Sequence, residues 1–177
     1  ATGGVGLAAV DMGAMLGAHV LAGTGDISKE ALLKEAGAEA VVNTRDGDLR
    51  AQIKTLTGGQ GLDVCFELIG GDTFLQLARS MRWGGRIAPI GFVSGEIPHL
   101  PMNLPLLKGF SVVGVFEGTW AEKCPKEARE TADKIMHWIA DGHLHPRIDR
   151  VIPLDQAAEA LRALSDRAVI GRIVLEI

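Results

Sequence analysis

The chain opens on Ala1-Thr2-Gly3-Gly4-Val5-Gly6 and runs without a break into Leu7-Ala8-Ala9-Val10. This is the pattern of a tight glycine turn that starts a helix. Gly3 and Gly4 permit a close approach of the main chain to a ligand, and Gly6 permits close packing of the new helix against its neighbour. The first N–H groups of such a helix, with the positive end of its dipole, form an anion site, and a dinucleotide pyrophosphate is the usual occupant. Thr2, Gly3, Gly4 and Val5 are the candidate pyrophosphate residues. A turn of this kind is fed by a buried strand, yet the chain begins on the turn itself. The expectation is a piece of a longer protein, cut just after a first strand.

The order of elements that follows supports the turn. Residues 5–16 are apolar almost all round, interrupted mainly by Asp11, which predicts a buried helix closed by Gly17. A short strand is expected at 18–22, ending in Gly23-Thr24-Gly25, then a helix at 29–36 capped by Asp26 or Ser28 and a strand at 40–43. Asp48 opens a third helix with Leu49, Ile53 and Leu56 on one face, broken by Gly58-Gly59-Gln60-Gly61. A strand at 62–68, a helix at 72–81 and a strand at 85–92 come next. Pro98, Pro101 and Pro105 break up residues 93–107, and 110–116 reads as a further strand. Apolar strands alternating with helices imply right-handed βαβ units in a doubly wound parallel α/β sheet of Rossmann type. From Thr119 the character changes to a long helix striped with Ala128, Thr131, Ala132, Ile135, Trp138 and Ile139 and stopped by Gly142. An extended piece at 145–152, a helix at 154–164 and a closing strand at 172–177 complete the chain. The expected division is a nucleotide-binding domain at 1–119 and a return segment at 120–177.

Composition narrows the partners. The chain has 177 residues, 47% of them apolar and 23% charged, and a net charge of −4. Lys and Arg are scattered, so no basic face calls for nucleic acid. No apolar run approaches the roughly eighteen residues of a membrane span. Cys65 and Cys124 read as unpaired thiols of a reducing compartment, and a cytoplasmic location is expected.

Taken together, several short pieces resemble the medium-chain dehydrogenase/reductase superfamily and, within it, the zinc-independent NADPH:quinone oxidoreductase branch. They are Ala1-Thr2-Gly3-Gly4-Val5-Gly6-Leu7-Ala8, Leu56-Thr57-Gly58-Gly59, Gly70-Gly71, Trp83-Gly84-Gly85-Arg86 and Gly91-Phe92, followed by Asn103-Leu104, Leu107-Lys108-Gly109, Val113-Gly114-Val115 and Ile170-Gly171-Arg172-Ile173-Val174-Leu175. The likeness runs in order along the whole chain. It implies a two-domain enzyme of which this is the cofactor domain with the C-terminal return to a catalytic domain.

An NAD-specific fold of this type carries an acidic residue at the end of its second strand, and here that position falls on Thr24. A hydroxyl there does not repel a ribose phosphate, although Asp26 lies close enough to take the acid's role. The resemblance places Lys29 over that extra phosphate, Asn43 with Thr44 near adenine, and Gly70, Gly91, Phe92, Val115 and Phe116 at the ribose and nicotinamide. It also brings Arg172 back to the cofactor from the tail. NADPH is therefore the expected cofactor.

Hydride transfer to a quinone or an α,β-unsaturated carbonyl rests on proximity and a dry pocket, so no catalytic residue is named. The chain contains no tyrosine, which excludes a Tyr-x-x-x-Lys reductase mechanism within these residues. His143-x-His145 reads as a surface pair without the thiolate or carboxylate that zinc would require, and no metal site is expected. Two other readings stand beside the leading one: the enoyl reductase of a fatty-acid or polyketide synthase, and a non-catalytic NADPH sensor or structural protein. A small-molecule substrate and a homodimer paired through 110–116 are the expected partners.

Overall fold

The computed structural model describes residues 1–177, which pack as two compact units: Ala1–Val41 with Asp133–Ile177, and Val42–Ala132.

In the first unit helix α1 (Gly4–Met15) leads to strand β1 (Leu21–Thr24). Helix α2 (Glu30–Glu35) follows, with strand β2 (Ala40–Asn43) pairing with β1 in a two-stranded sheet. Leu7, Val10, Ala22, Leu33 and Ala38 form the core, sealed by Val20, Ala36, Val41 and Ile170. Leu33 is fully buried, which stabilises the fold by about 2 kcal/mol. α1 differs from the expectation of burial on every side: Gly6, Leu7 and Val10 are buried while Val5 and Leu16 are exposed. Much of its surface is Ala and Gly, which have little area to bury.

The second unit holds α3 (Leu49–Leu56), β3 (Leu62–Glu67), α4 (Gly71–Ser80), β4 (Met81–Pro89), α5 (Asn103–Lys108), β5 (Ser111–Val112) and α6 (Glu117–Lys123). Asp48 caps α3 as expected, its carboxylate accepting the Ala51 N–H at 3.0 Å. The order is β3-β4-β5, with both pairs parallel and Cys65 opposite Ile87 and Ile87 opposite Val112. Cys65, Phe74, Ala78, Met81, Ile87 and Phe110 fill the core between this sheet and α4, and Val42, Leu49 and Ile53 form a second cluster under α3. Helix α7 (Pro125–Ala140) leads back to the first unit, where β6 (Ile148–Pro153) and β7 (Arg172–Glu176) pair in parallel, with α8 (Ala157–Ser165) between them in the chain.

The alternation of strands and helices and the parallel pairing are those of the Rossmann-type α/β fold. Four details differ from the sequence reading. The sheet is hydrogen-bonded in separate pieces, β1-β2 and β3-β4-β5. β4 starts at Met81, because Leu62 pairs with Met81 and Val64 with Arg86, leaving Arg82 to Gly85 bulged out of register. Residues 103–108 are helical, Pro105 being tolerated in a first turn where its missing N–H costs nothing. β5 covers only Ser111–Val112, and Phe116 is the N-cap of α6.

Candidate nucleotide site

The amino end of α1 is the candidate anion site of the first unit. Gly3 is its N-cap, in extended conformation, and no side chain caps the exposed N–H groups. Gly3 and Val5 are exposed, and a β-carbon on Gly3 would meet nothing within 4 Å. An anion therefore has open access to the positive end of a twelve-residue helix.

The tail closes one side of this turn. Gly171 donates its N–H to the Thr2 carbonyl at 3.1 Å, and Gly3 and Gly171 form a parallel bridge. Arg172, held by its own N–H on the Arg147 carbonyl, lays its side chain against Gly4. A β-carbon on Gly4 would stand 2.7 Å from Arg172 Cγ, so the glycine is what admits the arginine. Gly6 serves a close approach as well, but its near neighbour is the backbone of Ala1. Asp11, the one acid of α1, accepts the His145 N–H at 2.6 Å and so ties the return segment to the helix. His143 and His145 remain on the surface, and among the described residues no group of three or more His, Cys, Asp or Glu converges as metal ligands.

At the end of β1 Thr24 is buried, and its hydroxyl accepts the Asp26 N–H at 3.1 Å and donates to the Asp26 carbonyl at 3.2 Å. The Asp26 carboxylate caps the 3-10 turn Ile27–Lys29 by accepting from Ser28, with Lys29 Nζ 4.0 Å away. A cation and an anion thus stand side by side where the adenine ribose is expected.

The second unit carries the other candidates at its strand ends. Asn43 ends β2, its side-chain oxygen accepting the N–H groups of Arg45 and Asp46 at 2.9 and 3.0 Å. Gln52 brackets its backbone from both sides. Gly70 and Gly71 follow β3 with positive φ of 80° and 53°. Gly91 and Phe92 follow β4, and a β-carbon on Gly70 would lie 3.2 Å from the Phe92 ring. Val115 and Phe116 follow β5 and are exposed.

Glu67 has no role assigned to it from the sequence. It ends β3 with 1% of its surface exposed, and its Oε1 accepts the N–H groups of Ile69 at 2.7 Å and Gly70 at 3.1 Å. Burial pushes its carboxyl above the ordinary value, while the two backbone hydrogen bonds pull the other way. The signal was an acid at the end of a largely apolar strand, in which the other acid, Asp63, is exposed.

A family model described as zinc-binding dehydrogenase matches residues 4–136. The chain belongs to this family. It is thereby a member of the medium-chain dehydrogenase/reductase superfamily. It is 36% identical over 177 residues to the quinone oxidoreductase-like protein 2 homolog of Nematostella vectensis, covering 99% of this chain and 48% of the relative. Among solved structures it is similar to Escherichia coli quinone oxidoreductase complexed with NADPH, with 26% identity, a TM-score of 0.86 and coverage of 98% of this chain and 54% of the other. It is similar also to an NAD-dependent alcohol dehydrogenase, with 28% identity, a TM-score of 0.84 and coverage of 100% and 49%. The chain spans about half the length of the curated relative it matches.

Proposed function

We propose that the chain is the cofactor-binding part of an NADPH-dependent reductase that delivers hydride to a quinone or an α,β-unsaturated carbonyl. The observation that carries this reading is the uncapped, open amino end of α1 with the Arg172 side chain against Gly4. In the first unit, Thr2 to Val5 present backbone N–H groups to the pyrophosphate, and Lys29 meets the ribose phosphate beside the turn built by Thr24. In the second unit Asn43 lies at the adenine, and Gly70, Gly91, Phe92, Val115 and Phe116 at the ribose and nicotinamide, beyond the carboxyl ends of their strands. The reduced nicotinamide supplies the hydride when bound; the residues here bind it, orient it and keep water off it.

The name of the Escherichia coli structure, a quinone oxidoreductase with NADPH, supports both the cofactor and the substrate class. Residues 1–119 then serve as the NADP-binding domain and 120–177 as the return segment. Exposed Val112, Val113 and Val115 at the β5 edge support pairing with a second copy, and two free thiols support a reducing, cytoplasmic setting.

Fluorescence titration of the full-length protein with NADPH and NADH tests the reading. NADPH binding about tenfold or more tighter than NADH is expected from a phosphate paired with one or two cations. Equal affinities would remove the NADPH assignment, and binding of neither would remove the reductase.

A further inference from the structure

Glu67 is expensive where it stands. A carboxylate with 1% of its surface exposed and no cation beside it costs far more than an apolar residue of its size. What it receives in return is local: Ile69 N–H on Oε1, and Gly70 N–H shared between Oε1 and Oε2, the latter two at 3.1 Å. Those two amides belong to the loop that carries Gly70 and Gly71 through positive φ.

This first loop is the template for a second. Ile90 donates to the Glu67 carbonyl at 2.7 Å, Val93 to Leu68 and Ser94 to Ile69, each at 2.9 Å, and Gly71 donates to Glu96 at 3.1 Å. Residues 90–96 are thus stitched to residues 67–71, and Gly91 and Phe92 take their positions from that seam. The Phe92 ring rests over Gly70, where a side chain would not fit. Every one of these bonds lies within the second unit.

We propose that Glu67 is a positioning residue for the nicotinamide half of the cofactor: its carboxylate clamps the amides of Ile69 and Gly70, and through that loop sets the backbone at Gly91 and Phe92. The assignment rests on the NADPH reading above. It predicts an effect confined to one end of the dinucleotide, since the bonds that hold this loop all lie within the second unit.

Two variants of the full-length protein test it, read by fluorescence or calorimetric titration with NADPH and with 2′-phospho-ADP-ribose, which lacks the nicotinamide. Glu67→Met removes both acceptors, and the loss of a charge-assisted clamp is expected to weaken NADPH by about tenfold. Glu67→Gln keeps one acceptor and turns an amide N–H₂ toward Gly70, with an expected weakening of about threefold. In both variants the affinity for 2′-phospho-ADP-ribose stays at the wild-type value, and amide exchange at Ile69 and Gly70 accelerates. Unchanged NADPH affinity in Glu67→Gln and Glu67→Met overturns the assignment, as does an equal loss for both ligands. If Glu67→Met does not fold, Glu67→Gln alone decides by the same comparison. Failure of the wild-type protein to bind NADPH removes the reductase reading and this assignment with it, an outcome distinct from wild-type binding that the variants leave untouched.

Discussion

Gly4 and Arg172 are separated by nearly the whole chain, yet a β-carbon on Gly4 would lie 2.7 Å from Arg172 Cγ and 3.2 Å from the Gly171 carbonyl oxygen. The absence of one side chain at the helix start is what lets a cation from the last strand lie along it. Gly4→Ala forces the arginine aside and presses on a backbone oxygen, so a loss of about 1–3 kcal/mol is expected in urea unfolding of the full-length protein. Arg172→Ala leaves the turn intact, and its expected effect is instead on the cofactor: NADPH weakens by about tenfold with little change in thermal midpoint. An Arg172→Ala protein that binds NADPH like wild type would show that the arginine does not reach the cofactor.

Gly171 sits at φ +88°, and a β-carbon there would come within 2.4 Å of the Arg147 carbonyl oxygen. Both the conformation and the space exclude a side chain. Gly171→Ala is expected to cost about 1–3 kcal/mol from the backbone conformation alone, plus the clash. It should also release the Gly171–Thr2 hydrogen bond, seen as faster amide exchange at Gly171. A variant as stable as wild type would contradict this anchoring of the tail.

Lys29 and Asp26 set opposing charges at the end of β1. Lys29→Ala should weaken NADPH by about tenfold and leave NADH unchanged, because only the former carries the extra phosphate. Asp26→Asn keeps the oxygen that accepts from Ser28 and removes the charge 4.0 Å from Lys29. Its expected result is severalfold tighter NADPH at low salt, fading as ionic strength rises. Parallel titrations at two salt concentrations measure both effects.

Glu67 gives the protein a pH signature. Its folded carboxyl is raised, desolvation outweighing the bonds from Gly70 and Ile69. The folded state therefore holds this proton more tightly than the unfolded chain does. Its contribution to stability is fully present below the ordinary carboxylate value, and is lost as pH rises through the raised one. Glu67→Gln removes that dependence, so the thermal midpoint of the variant should gain on wild type as pH is raised from the ordinary carboxylate value of about 4 toward neutrality. A constant difference across that range would sink the argument.

The two thiols should separate in reactivity. Burial, with the neighbouring Glu67 carboxylate, pushes Cys65 up to about 12, so it stays a thiol at any ordinary pH. Cys124, partly exposed at the end of α6, is expected to be alkylated by iodoacetamide in the native protein, and Cys65 only after unfolding. Mass spectrometry of peptides before and after denaturation checks the order.

Much of the molecule can be read locally. The glycine turn before α1, the cap at Asp48, the strand at 40–43 and the start of β3 at Leu62 announce themselves within a few residues, because capping and periodicity depend on neighbours three or four positions away. What the chain could not disclose by itself is what depends on pairing across long separations. The Met81 start of β4 follows from its register against Leu62, and the brevity of β5 follows from its pairing with Arg86 and Ile87. Asp11 reads as an interruption of an apolar helix until its hydrogen bond to His145 is seen. Glu67 reads as a strand-end acid with no assigned role until two loops close over it. Composition and spacing determined the parallel α/β plan and the position of the glycine turn; the tertiary structure decided which polar groups are buried and what they hold. The reason is that burial is a property of everything packed around a residue, and no window of sequence contains it.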